Sequence, residues 1–261
     1  MNPVLLTRDG GIATITLNRP DQGNAIDMDM ARALDAAARD CAGDPAVRCV
    51  VLAGSGRLFC AGGDIAAFAA AGDRAGAFMH ELASALHEAV LVLARMDKPL
   101  LTLVHGPAAG AGLSLALLGD VVLAGEAAHF TAAYTGIGLT PDGGMSWLLP
   151  RVVGLRVAQE MILTNRRVGA EEGARLRLVT RVVPDADLAA EGRAMAARLA
   201  AAPVRALGAA RALLLDSSTR DLAAHLAVEA DSIAAAGSGA EGREGVAAFL
   251  ERRKPDFTRA S

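Results

Sequence analysis

Apolar residues change their spacing along this chain in a way that separates strands from helices. Ile12–Leu17 reads Ile-Ala-Thr-Ile-Thr-Leu, a β-branched run that predicts a strand, with residues 4–7 as its partner across Asp9-Gly10-Gly11. Asn18-Arg19-Pro20 ends it. Asp27 predicts the cap of a helix running to about Cys41, stopped by Gly43-Asp44-Pro45. Residues 47–53 read as a short buried strand that empties into a glycine-rich loop, Gly54-Ser55-Gly56 through Gly62-Gly63-Asp64. Helical periodicity fills roughly 73–96 until Lys98-Pro99. Residues 100–104 predict another buried strand, broken by Gly106-Pro107, then a helix over 110–118 and strands over 120–124 and near 129–131.

After Pro141 helical spacing dominates, with helices expected over 145–153, 156–163, 170–176, 187–201, 204–215, 221–236 and 241–253. One strand, 178–183, interrupts them before Pro184. The alternation in the first part predicts an α/β class with parallel strands and crossover helices. A boundary is expected at about residue 200, giving an α/β core over 1–200 and an all-helical part over 201–261.

Composition narrows the function classes. Of 261 residues, 52% are hydrophobic and only 3% aromatic, so the core must be built from Ala, Leu and Val. The formal charge of −3, with basic residues dispersed, gives no electrostatic case for a nucleic-acid partner. The N-terminal residues show no signal-peptide pattern, and apolar stretches look interrupted short of the roughly 20 residues a membrane span needs. Cys41, Cys49 and Cys60 have no metal-ligand spacing and cannot all pair, so reduced thiols in a cytoplasmic chain are expected.

Two segments carry candidate chemistry. In Leu58-Phe59-Cys60-Ala61-Gly62-Gly63-Asp64-Ile65 a strand empties into two glycines and an acidic residue able to cap a helix. It is either a tight turn or an N–H donor aimed at an anionic oxygen. Val104-His105-Gly106-Pro107-Ala108-Ala109-Gly110-Ala111-Gly112-Leu113-Ser114-Leu115-Ala116 repeats the strand, small-residue loop and helix, without the dinucleotide-binding spacing. Paired donors around one carbonyl oxygen would stabilise an enolate or tetrahedral oxyanion.

The pair with its flanks closely resembles the enoyl-CoA hydratase/isomerase (crotonase-like) family. Matching segments follow in order at Leu17-Asn18-Arg19-Pro20 with Asn24-Ala25, Asp120-Val121-Val122-Leu123-Ala124, Gly138-Leu139-Thr140-Pro141-Asp142-Gly143-Gly144, Leu149-Pro150-Arg151-Val152-Val153-Gly154, and the run from Glu244 to Pro255. The resemblance implies a spiral of ββα units with a C-terminal helical region that drives trimer formation, often a hexamer of two trimers. It implies an acyl-CoA substrate, with coenzyme A part of that substrate and no metal or redox cofactor. The oxyanion donors fall on the backbone N–H groups of Gly63 and Ala111, where family members commonly have Gly at the second position. Phe249 and Arg252 match residues that approach the adenosine end, often from a neighbouring subunit. Gly62, Asp64, Gly110, Ser114 and Tyr134 complete the candidate substrate-contact set.

The family's hydratases hold a water between two glutamates, and those positions are Ser114 and Tyr134 here. The resemblance offers Asp142 instead, at the place from which some family isomerases present a catalytic carboxylate. Moving a double bond needs one base, which takes a proton from C2 and returns it to C4. Asp142 is therefore expected either as that base or as the cap of the helix at Met145. Alternatives are hydration with a non-standard acid and base, thioester hydrolysis through Ser114, and a CoA-binding scaffold without turnover. Gly112-Leu113-Ser114-Leu115-Ala116 lacks the closing glycine of a nucleophile elbow, and His80, His87, His105 and His129 have no predictable relation to Ser114. Tyr134 is expected in the site or its wall, Trp147 in packing and His80 at the surface.

Overall fold

A computed structural model describes residues 2–259. The predicted hairpin forms, as β1 (Val4–Asp9) antiparallel to β2 (Ile12–Leu17). Then come α1 (Met28–Gly43), β3 (Cys49–Gly54), α2 (Ile65–Ala70), α3 (Ala75–Arg95), β4 (Leu100–Val104), β5 (Ala108–Ala109), α4 (Ala111–Ala116), β6 (Val121–Gly125) and β7 (His129–Thr131). The chain continues through α5 (Met145–Val153), α6 (Leu155–Thr164), β8 (Val168–Gly169), α7 (Ala170–Arg175), β9 (Arg181–Val183), α8 (Leu188–Ala200), α9 (Val204–Asp216), α10 (Leu222–Ser238) and α11 (Ala240–Leu250).

The main sheet has the order β1-β2-β3-β4-β6-β9, parallel throughout except for the hairpin. A smaller sheet, β5-β7-β8, lies beyond the loop after β4. Because side chains alternate along a strand, β3 splits its residues between two cores. Val50 and Leu52 join the cluster under α1 and α3, while Cys49 and Val51 meet Leu188, Ala196 and Ala200 of α8 on the other face. Both faces being covered explains why β3 and β4 read as continuous apolar runs.

Several expected bounds shift for local reasons. Strand β3 starts at Cys49 because Val47 N–H closes a turn onto Asp44 (3.1 Å). The strand expected over 178–183 shrinks to Arg181–Val183, since Leu178 N–H still bonds to Gly173 O (2.8 Å) at the end of α7. Two-residue strands β5 and β8 were below the reach of any periodicity. One expectation is corrected outright. Gly72–Arg95 is long and apolar enough to cross a membrane by length and composition. Its Leu82, Leu86, Ala89, Val90 and Leu93 are instead buried in the main core, where α3 packs along α1.

The last helices are tied to the core by arginines. Arg48 Nε and Nη2 donate to Ala200 O (2.6 Å) and Ala202 O (2.9 Å), and Arg211 pairs with Asp120 (2.6 Å). Helix α10 buries none of its residues, and Leu222, Ile233 and Phe249 are 73%, 74% and 82% exposed.

Candidate active site

The site grows from the ends of two adjacent parallel strands. The loops leaving β3 and β4 run side by side: Cys60 N–H donates to Pro107 O (3.2 Å) and Ala109 N–H to Cys60 O (3.0 Å). Gly112 permits this approach, because a Cβ there would run into the Cys60 carbonyl. Asn24, fully buried, ties the first loop from beneath. Its Nδ2 donates to Ser55 O (2.8 Å), Leu58 O (2.8 Å) and Phe59 O (3.1 Å), and its Oδ1 accepts from Arg19 N–H (2.8 Å). The Arg19 guanidinium holds Asp27 (3.0 Å) and Asp64 (3.2 Å).

Ile26 donates to Gly62 O (2.7 Å) and accepts from Asp64 N–H (2.9 Å), a parallel bridge centred on Gly63. In that pattern the central residue's own N–H points away from its partner strand. Gly62, at φ +101°, makes the turn that a side chain would strain. On the second loop, Gly110 N–H is taken by Thr131 O (3.0 Å), and Ala111 opens α4. The first N–H groups of a helix have no intrahelical acceptor. Neither the Gly63 nor the Ala111 N–H has a hydrogen-bond partner among the described residues, and both residues line one cavity.

That cavity measures about 420 Å³. Ile26, Phe68, Leu82, Leu86 and Leu139 make its walls apolar, and Gly63 lies close enough to Phe68 that a Cβ there would strike the ring. Its polar side chains are few: Tyr134, Asp142, Thr140 and His80. His80 thus belongs to the cavity as well as to the surface, because its helix α3 forms one side.

Asp142 does not cap α5, whose N-cap is Gly144 without a side-chain bond. Its Oδ1 instead accepts a hydrogen bond from the Tyr134 hydroxyl. Ser114 Oγ donates to the Asp142 carbonyl (2.9 Å), and the next N–H, of Gly143, donates to His87 Nε2 (3.1 Å). Burial first, then the Asp142 charge and the hydrogen bond to it, hold the Tyr134 hydroxyl well above the usual tyrosine range. Both positions where the family's hydratases carry glutamate thus touch Asp142.

The remaining candidates separate. Asp64 caps α2 by accepting from Ala67 N–H (3.2 Å) and faces Arg19, so its side chain does not line the cavity. Ser114 is fully buried with no histidine in hydrogen-bond contact among the described residues. His105 bonds to Gly56 O (3.0 Å), and burial lowers its affinity for a proton. Phe249 and Arg252 lie exposed and outside the cavity. Trp147, 38% exposed, stacks under the Arg151 guanidinium rather than in a core. Sequence reasoning missed the roles of Asn24 and His87, because each acts on backbone distant in the chain, and that of Arg19, because it pairs with the carboxylate of Asp64 45 residues later. Asn24 was visible only as a motif residue.

The enoyl-CoA hydratase/isomerase family model matches residues 7–260. A protein of Rhodobacter capsulatus named as a probable enoyl-CoA hydratase is 43% identical over 248 residues, covering 95% of each chain. The 1,2-epoxyphenylacetyl-CoA isomerase of Escherichia coli is 36% identical over 265 residues, covering 99% of each. The crystal structure of an enoyl-CoA hydratase from Polaromonas superposes with a TM-score of 0.93 at 34% identity, over 97% of this chain and 98% of that one.

Proposed function

The chain belongs to the enoyl-CoA hydratase/isomerase family of enzymes acting on CoA thioesters, and within it we propose a double-bond isomerase with Asp142 as its base. The thioester oxygen accepts from the N–H groups of Gly63 and Ala111. Asp142 takes a proton from C2, the C–H electron pair moves into the C1–C2 bond, and the oxygen becomes an enolate under the two donors. The conjugated dienolate then takes the same proton back at C4, leaving the double bond between C2 and C3. Each donor of such a pair typically contributes about 3–4 kcal/mol to the transition state.

The observation that carries this reading is a single carboxylate among the described residues that line the cavity, unclaimed by any helix cap, with the hydratase glutamate positions filled by Ser114 and Tyr134. The isomerase named among the relatives supports it. Exposed apolar residues on α10 and α11, including Phe249, support a homotrimer or hexamer in which 201–261 meets a neighbour and Phe249 and Arg252 reach its CoA.

Hydration is the second reading, favoured by the hydratase named at 43% identity; Tyr134 and Asp142 would then serve as its acid and base. Hydrolysis through Ser114 is disfavoured by its burial without a histidine partner. Assays with 3-enoyl-CoA and 2-enoyl-CoA separate them. Isomerisation raises the conjugated-enoyl absorbance from the first substrate, hydration lowers it from the second, and hydrolysis releases free thiol.

A further inference from the structure

We propose that Tyr134 is the positioning residue for the base: its hydroxyl occupies Oδ1 of Asp142 and leaves Oδ2 as the oxygen that carries the proton. The inference rests on Asp142 being the base.

Three contacts fix Asp142. Ser114 Oγ of α4 donates to the Asp142 backbone carbonyl, His87 of α3 accepts from the N–H of Gly143, and Tyr134 donates to the carboxylate at Oδ1. Oδ2 has no hydrogen-bond partner among the described residues, while Asp142 lines the cavity. Tyr134 is itself held. Its N–H donates to Ala132 O (2.9 Å), its carbonyl accepts from Ile137 (3.1 Å) and Leu139 (3.0 Å), and Ala133 before it sits at φ +65°. A Cβ built on Gly110 would stand 3.8 Å from the phenol ring, so Tyr134 packs between the oxyanion loop and the carboxylate. Because burial and the Asp142 charge keep its hydroxyl protonated through neutral pH, it remains a donor across the working range. Among the described residues, His87 reaches the backbone beside Asp142 through Gly143, and His80 lines the same cavity.

A hydrogen bond to the ionised carboxylate favours that form, and it removes one of two equivalent proton acceptors. Tyr134→Phe keeps the ring and deletes the donor. The expected result is a kcat lower by on the order of 10- to 100-fold with KM within about twofold, and an acid limb of kcat moved to higher pH. In an Asp142→Asn background the same change should cost nothing further. A second measurement does not depend on that variant folding. Tyr134 is the only tyrosine in the chain, so incorporated 3-fluorotyrosine labels that position alone. Its fluorine resonance should step at the midpoint of the kcat acid limb and lose that step in Asp142→Asn. An inactive Asp142→Asn beside an unchanged Tyr134→Phe profile, or a fluorine signal without the step, overturns the role of Tyr134. A fully active Asp142→Asn overturns the base assignment and this inference with it.

Discussion

The amide end and the carboxylate end of the cavity are built from different materials. At the amide end, Gly63 and Ala111 contribute only main-chain N–H groups, aimed by loops that bond to each other and to Ile26. What matters there is the absence of side chains at the points of close approach. At the carboxylate end, Ser114, His87 and the 134–142 segment that carries both Tyr134 and Asp142 come from three separate stretches of chain, and each contact is defined by one or two side-chain atoms. The amide end should therefore tolerate the loss of a side chain yet fail on an added one that displaces the backbone. The carboxylate end should keep its fold and fail on a single atom.

The largest effect should come from the carboxylate end. Asp142→Asn is expected to lower isomerisation kcat by about 10³- to 10⁴-fold while circular dichroism and the thermal midpoint stay near those of the parent. A comparable loss of fold would erase the contrast between the two ends. Next is Gly112→Ala, whose methyl meets the Cys60 carbonyl and pushes the paired loops apart. It should cost about 10²-fold in kcat, as loss of one oxyanion donor does, together with about 1–3 kcal/mol in urea-unfolding stability. Ala111→Gly keeps the N–H and should leave kcat within about threefold, with a stability loss of about 0.5–1 kcal/mol.

Smallest in its effect on turnover is a test of Cys60, which lies beneath the amide end. Burial pushes Cys60 and Cys49 up to about 12 and Cys41 up to about 11. All three should resist alkylation at pH 8 in the folded enzyme and react once it is unfolded. The sign of the stability effect follows from these raised values. The folded state keeps its full advantage below the usual thiol value near 9 and loses it as pH climbs toward 11 to 12, so the urea midpoint should fall over that window.

The same contrast explains what the sequence made legible. Strands β2, β3 and β4, helix α1 with its Asp27 cap and helix α5 follow from local periodicity, while the glycines of the two loops left a turn and a donor equally open until the resemblance put the donors on Gly63 and Ala111. The pairing of the two loops is less visible, since Cys60 and Ala108 meet through a bridge between residues 48 positions apart. The carboxylate end is hidden for a stronger reason. Nothing in the run Thr140-Pro141-Asp142 says that Tyr134 will claim the carboxylate or that His87 will reach Gly143 from a helix more than 50 residues earlier. A resemblance supplied the position of Asp142, but a cap and a base read alike until the N-cap of α5 proved to be Gly144. The clamp made by Asn24 was unreadable for the same cause: its three carbonyl partners lie over 30 residues away.

A crystal structure of Asp142→Asn with a 3-enoyl-CoA bound tests the two-ended arrangement most directly. The thioester oxygen should lie within about 3 Å of the amide nitrogens of both Gly63 and Ala111, with C2 facing residue 142 across the cavity. A thioester oxygen bonded to only one of those amides, or an acyl chain seated outside the Asp142 cavity, would contradict it.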